Sequence, residues 1–175
     1  MKKTLLRLTV LTLAVFLLSS CNRKDPYAPP SGMVAASDER ASFCLFVPDG
    51  WVVDYSTAAA GAYFSPADPS SVSVMAWDLE HTDTSLDDWW TTNESELSLV
   101  FRDVVVESSE NTTVNGLYAK KYVYSASLGE FSYRIMQVAC IQNTDVYLFT
   151  YTSTPENYES HLEDVDQILT HLTIK

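Results

Sequence analysis

The chain has 175 residues, 46% of them hydrophobic, with 23 acidic residues against 11 Lys and Arg and a formal charge of −12. That balance excludes nucleic acid and anionic membrane surfaces as charge-driven partners, since both repel it. It permits binding of cations or basic protein patches, although a well-solvated extracellular surface accounts for it better, on a chain long enough to close one real core.

Lys2, Lys3 and Arg7 open the chain, and Leu8 to Leu18 follow as an apolar run broken only by Thr9 and Thr12. Spanning a bilayer takes about 20 apolar residues. A charged start, a shorter apolar run and small residues before a cut point are instead the parts of a secretory signal peptide. The run ends in Leu18-Ser19-Ser20-Cys21, which resembles the lipobox of bacterial lipoproteins. The resemblance implies cleavage after residue 20, a diacylglycerol on the Cys21 sulfur, and lipid anchoring to the cell membrane or outer membrane on its extracytoplasmic side. Two or more acyl chains anchor stably where one binds only marginally. Loss of residues 1–20 removes three basic residues and no acidic ones, leaving 8 against 23 and a formal charge of −15.

Residues 21–41 contain Pro26, Pro29, Pro30, Ser31 and Gly32 with little apolar content and read as a flexible tether. As a coil this segment spans roughly 25 Å. Residues 42–175 contain no second linker, repeat or low-complexity tract and form one monomeric domain.

The domain reads as strand-rich with two helices. Residues 43–47 form a strand ended by the turn signal Pro48-Asp49-Gly50. Trp51 to Tyr55, Ala62 to Ser65 and Val72 to Trp77 follow as strands. Thr84 or Ser85 then caps a helix whose first turn holds Asp87 and Asp88, favoured by the helix dipole. Leu86, Trp90, Leu97 and Phe101 form its apolar stripe, with Trp89 and Val100 beside it. Four strands come next: Asp103–Ser108, Leu117–Ser127 after the Asn115-Gly116 turn, Phe131–Gln142, and Val146–Ser153 after the loop Asn143-Thr144-Asp145. Val146-Tyr147-Leu148-Phe149 is apolar on both faces, which implies cover on each side of the sheet. The closing helix takes Thr154 as cap and Pro155 as its first residue, with Tyr158, Leu162, Val165, Leu169 and Leu172 along one face.

Three segments resemble the PsbP/Mog1-like family. They are Phe46-Val47-Pro48-Asp49-Gly50-Trp51, the stretch Val114 to Lys121, and the run from Tyr147 to Tyr158 that leads into the last helix. The resemblance spans nearly all of residues 43–175 and rests on core and turn positions. It implies an α+β fold, an antiparallel sheet of six to seven strands with helices covering both faces. It further implies non-catalytic binding, and it transfers no active-site residue.

The chemistry-bearing residues agree with that emphasis on binding. No HExxH, CxxC, Walker or GxSxG pattern occurs, and no motif calls for a cofactor. His161 and His171 lie ten residues apart on one helix, about 15 Å along its axis, too far to share a metal. His81 lies among Asp78, Glu80 and Asp83 without a recognised ligand spacing. Cys44 and Cys140 sit in apolar segments, and two readings stay open for them: a disulfide, which an oxidising compartment permits, or two buried thiols. Trp89, Trp90, Trp77 and Tyr63 are the candidate binding residues, because adjacent Trp side chains on a helix point apart and an exposed Trp is a common anchor; packing of both Trp89 and Trp90 under the sheet edge and helix flank is the competing and favoured reading. The leading functional reading is therefore a non-enzymatic module for a protein, peptide or small ligand. The alternative is a metal-dependent accessory protein or enzyme centred on the acidic loop around His81.

Overall fold

The computed structural model describes residues 27–56, 59–80 and 83–175. The segment expected as a signal peptide, residues 1–20, and also Cys21 and His81, lie outside the described residues. Among the described residues, no helix is long and apolar enough to cross a membrane.

Three short strands come first: β1 (Met33–Ala35), β2 (Phe43–Cys44) and β3 (Phe46–Pro48). They are followed by β4 (Val52–Asp54), β5 (Ala60–Ser65) and β6 (Asp68–Asp78), then helix α1 (Leu86–Val100). Next come β7 (Arg102–Val114), β8 (Leu117–Leu128), β9 (Phe131–Gln142) and β10 (Asp145–Ser153). A 3-10 turn at Tyr158–His161, helix α2 (Leu162–His171) and β11 (Thr173–Ile174) close the chain. Seven of the strands form an antiparallel sheet in the order β4-β5-β6-β10-β9-β8-β7.

Local chemistry explains most of these boundaries. Asn115 and Gly116 both take positive φ, 51° and 77°, as a tight turn with the twist of its flanking strands requires. Ser85 caps α1 by accepting the Asp88 N–H at 3.1 Å, and its hydroxyl donates back to the Asp88 carboxylate at 2.6 Å. β7 runs well past Ser108 through Ser109-Glu110-Asn111-Thr112-Thr113, because continuous pairing with β8 supplies what its polar side chains do not.

Side chains sort into two apolar clusters. One gathers Val165, Ile168 and Leu172 of the α2 region with Val72, Val138, Phe149 and Tyr151. The other gathers Leu86, Trp89 and Trp90 of α1 with Tyr122, Tyr124, Ala139 and Leu148. Successive residues of a strand face opposite ways, and β10 alternates accordingly. Val146 and Leu148 join the α1 cluster, whereas Tyr147, Phe149 and Tyr151 join the α2 cluster.

Two expectations are corrected. The tether does not extend to residue 41. β1 pairs with β3 from Met33↔Pro48 to Ala35↔Phe46, and the buried Ala36 donates its N–H to Leu45 O at 2.8 Å. A short ribbon held by backbone bonds needs few apolar residues, so composition conceals it. The closing α-helix also starts later than Thr154. The Thr154 carbonyl accepts the N–H groups of Asn157 and Tyr158 in a turn, and α2 begins only at Leu162. Tyr151 donates its phenol to the Tyr158 carbonyl at 2.9 Å, and Asp68 holds the His161 ring. These tertiary bonds keep the first turn in the tighter 3-10 form.

Candidate functional site

Three of the four aromatic candidates come together. Trp77 of β6 lies 6.0 Å from Trp89 of α1, ring centre to ring centre, and Trp89 lies 6.3 Å from Trp90. The Trp90 ring in turn stacks on Tyr122 of β8 at 3.4 Å with an interplanar angle of 4°. Of the two readings of the adjacent tryptophans, one exposed as an anchor or both packed, the structure shows the second, since Trp89 and Trp90 are each only 7% exposed. Trp77 and the sheet cover one, and Tyr122 with Tyr124 covers the other. Asn93 of α1, which donates to Gln137 of β9 at 3.3 Å, and the Asp87–Lys120 ion pair fix the helix over this row. Trp77 is thus the solvent end of a rigid aromatic row. Tyr63 lies apart, half-buried on β5 opposite Val52 and Ser71.

Beside the end of β6 lies a cleft of about 380 Å³. The segment 36–43, the end of β4 and the strand residues Val74, Met75 and Ala76 enclose it, with Phe43 among the lining residues. Tyr55 at its rim is 77% exposed and Met75 48% exposed. Asp38 and Asp54 are among its lining residues, and their carboxylates accept the backbone N–H groups of Arg40 and Ser56, each at 2.8 Å. Hydrogen bonds from Ser56 hold the Asp54 carboxyl below the ordinary carboxylate range.

The polar groups at the α2 end form a buried chain that sequence reading missed. His161, expected as solvated or partly packed, is only 6% exposed, and its Nε2 lies 2.8 Å from Asp68 Oδ2. Ser70 donates to Asp68 Oδ1 at 2.6 Å, and the hydroxyls of Ser70 and Ser153 lie 2.7 Å apart. Burial opposes ionisation of Asp68, but bonds from Ser70, His161 and Asn157 outweigh it and hold the carboxyl at about 2. Serine, histidine and aspartate are all present, yet the order of contacts is not that of an activated nucleophile. The aspartate stands between the serines and the imidazole, so no hydroxyl is positioned to pass its proton to the ring. The chain of bonds instead ties α2 to β6. Trp51 reinforces the tie by donating Nε1–H to Asp164 at 2.8 Å, and its ring meets His161 edge-on at 5.8 Å. Pairings across 93 and 113 residues leave no local pattern for sequence analysis to find.

Cys44 and Cys140 are buried free thiols, so the disulfide left open by the sequence is not made. Cys140 sits inside the main sheet between Ala119 and Tyr147, whereas Cys44 lies in the β2–β11 ribbon opposite Thr173. Burial pushes the Cys140 thiol up to about 11. Among the described residues no group of three or more His, Cys, Asp or Glu is placed to hold a metal.

No protein-family model and no curated protein matches this chain. Solved structures do resemble it. Cyanobacterial PsbP (CyanoP) from Synechocystis matches over 91% of this chain and 99% of its own, with a TM-score of 0.60 at 14% identity. The Ran-binding protein Mog1p of Saccharomyces cerevisiae matches over 81% and 95%, with a TM-score of 0.56 at 9% identity. A Pseudomonas aeruginosa protein of unknown function, described as a putative regulator, matches over 79% and 94%, with a TM-score of 0.52 at 16% identity. Identities this low speak to architecture alone. A seven-stranded antiparallel sheet with two helices, aligned over nearly the whole of these proteins, gives this chain a PsbP/Mog1-like fold.

Proposed function

We propose that this protein is a non-enzymatic accessory module of the cell envelope, anchored by acyl chains on Cys21 and binding a protein, peptide or small ligand. In this reading α1 covers one face of the sheet and α2 the other, and the domain acts as a monomer on the extracytoplasmic side. The observation that carries it is the apolar surface at the end of β6, where Met75 and Trp77 stand exposed beside an open cleft. Exposed large apolar groups clustered at a concavity mark interaction sites more than single ones do. The polar residues with catalytic potential lend support from the other direction, since Ser70, Ser153 and His161 are buried and engaged with one another or with Asp68. Mog1p, which shares the fold, is a Ran-binding protein, and this makes a protein partner reasonable here.

Three measurements test the reading. In a bacterial host the native chain partitions into the detergent phase and Cys21→Ser into the aqueous phase; equal partitioning removes the anchor from the proposal. A photo-crosslinking residue at position 77 traps a discrete adduct in the native envelope, whereas one at Leu99, exposed on α1 away from the cleft, does not. Turnover in a hydrolase panel, abolished by a single substitution, refutes the non-enzymatic assignment.

A further inference from the structure

The two faces of the sheet carry unequal cover. Val72 and Val74 of β6 and Ala62 of β5 belong to the α2 cluster. Successive strand residues face opposite ways, so Ser73, Met75 and Trp77 look to the α1 side, where Trp77 meets Trp89. The register carries this side on to the next strands, since Tyr63 of β5 pairs with Ser71 and Val52 of β4 pairs with Tyr63. On this side α1 lies across β7, β8 and β9. Among the described residues, none of β4 or β5 enters the α1 cluster. Val52 is 41% exposed, Met75 48% and Trp77 36%. Large apolar side chains exposed together on one face mark an interaction surface.

The size of this uncovered area suits one helix. Strands stand about 4.8 Å apart, so β4 to β6 together span roughly the 10 Å diameter of an α-helix. From Ser71 to Trp77 β6 runs about 20 Å, the length of roughly three to four helical turns. The electrostatics are one-sided. β4, β5, β6, β10 and α1 contain no Lys or Arg, while α1 carries Asp87, Asp88, Glu94 and Glu96. Trp89, Asn93 and Glu96 follow the i, i+4, i+7 spacing along one flank of α1. Trp89 touches Trp77 of β6 and Asn93 donates to Gln137 of β9, so this flank borders the uncovered area. Glu96 makes no ion pair among the described residues. Glu94 stands on the opposite flank, one turn beyond Trp90, whose ring stacks on Tyr122 of β8.

We propose that this surface takes a basic amphipathic helix of a partner protein, laid beside α1. Its apolar stripe covers Val52, Tyr63, Met75 and Trp77, and its Lys or Arg residues meet Glu96. This deepens the binding-module reading and rests on it. Helices docked in this way are held through residues at i, i+3, i+4 and i+7. Charge decides among the occupants. A second copy or an anionic bilayer meets this acidic side with like charge, on a chain of formal charge −12.

The test is site-specific photo-crosslinking of the full chain in the native envelope, with the trapped peptide sequenced by mass spectrometry. Photoreactive residues at positions 52 and 63 trap a protein segment with apolar residues at helical spacing and a net positive charge. One at Val105, 57% exposed on β7, does not. Glu96→Lys lowers the adduct yield from position 63 about fivefold, whereas Glu94→Lys, the same change of net charge on the other flank, leaves it unaltered. Both positions are exposed, and circular dichroism stays native in both variants. A trapped segment that is acidic or lacks the helical spacing overturns the proposal, as does a peptide of this chain itself or an adduct with lipid alone. Equal yields from the two variants overturn it as well. If positions 52 and 63 trap nothing while position 77 still gives a discrete adduct, the helix site fails and the binding-module reading stands. If position 77 is silent too, both fail.

Discussion

Asp68→Asn is the substitution that most directly probes how α2 is held on the sheet. The native Asp68 carboxyl stands at about 2 against an ordinary 3.8, and its side chain is 18% exposed, so solvent screens it little. Because the folded value is depressed, the ionised form stabilises the fold, and that contribution is complete above pH 3.8. It fades as the pH falls from 3.8 toward 2. The gap between the two values is worth about 2 kcal/mol. At pH 7 Asp68→Asn therefore loses about 2 kcal/mol, and its Tm falls by about 4–8 °C. Urea unfolding at half-unit steps from pH 7 to 2 reads this directly. The native chain loses stability steeply between pH 4 and 2, the variant loses about 2 kcal/mol less over the same interval, and the two curves converge at the acid end. Parallel curves separated by a constant offset would falsify the argument, since Asp68 would then be packed there without ionising to any advantage.

Trp90→Ala removes the ring stacked on Tyr122 and costs about 3–5 kcal/mol in urea unfolding, whereas Trp90→Phe costs well under half as much. A loss below about 1 kcal/mol for the alanine variant means that the ring is not part of the core. Gly61→Ala places a Cβ 2.8 Å from the Val72 carbonyl oxygen, backbone against backbone, so β5 must move away from β6 at a cost of about 1–3 kcal/mol. Unchanged stability in thermal denaturation contradicts that approach. Cys44 and Cys140 resist iodoacetamide in the native protein and both react in denaturant without reductant, as mass spectrometry reads; labelling that requires reductant demonstrates a disulfide instead.

The cleft and the aromatic row share one strand, and this gives β6 two tasks. Its Val72 and Val74 are buried in the α2 cluster, while Trp77 closes the row over α1. Its last residues, Met75–Asp78, are paired with β10 without a register shift.

The sequence by itself determined what depends on near neighbours. The strand sequence from Leu117 to Ser153, the Asn115-Gly116 turn and the Ser85 cap follow from period-two patterning, positive-φ demand and a side chain three residues from its partner. The fold class was legible for the same reason, since core and turn residues carry it. Tertiary structure decided what depends on partners far along the chain. Met33–Ala35 belong to the domain because backbone bonds to Phe46–Pro48 hold them, which composition cannot register. Asp68, Ser70, Ser153 and His161 meet only when β6, β10 and the 3-10 turn converge. Trp89 and Trp90 point apart on α1, as helix geometry dictates, and both are nevertheless buried because β6 and β8 supply a ring for each.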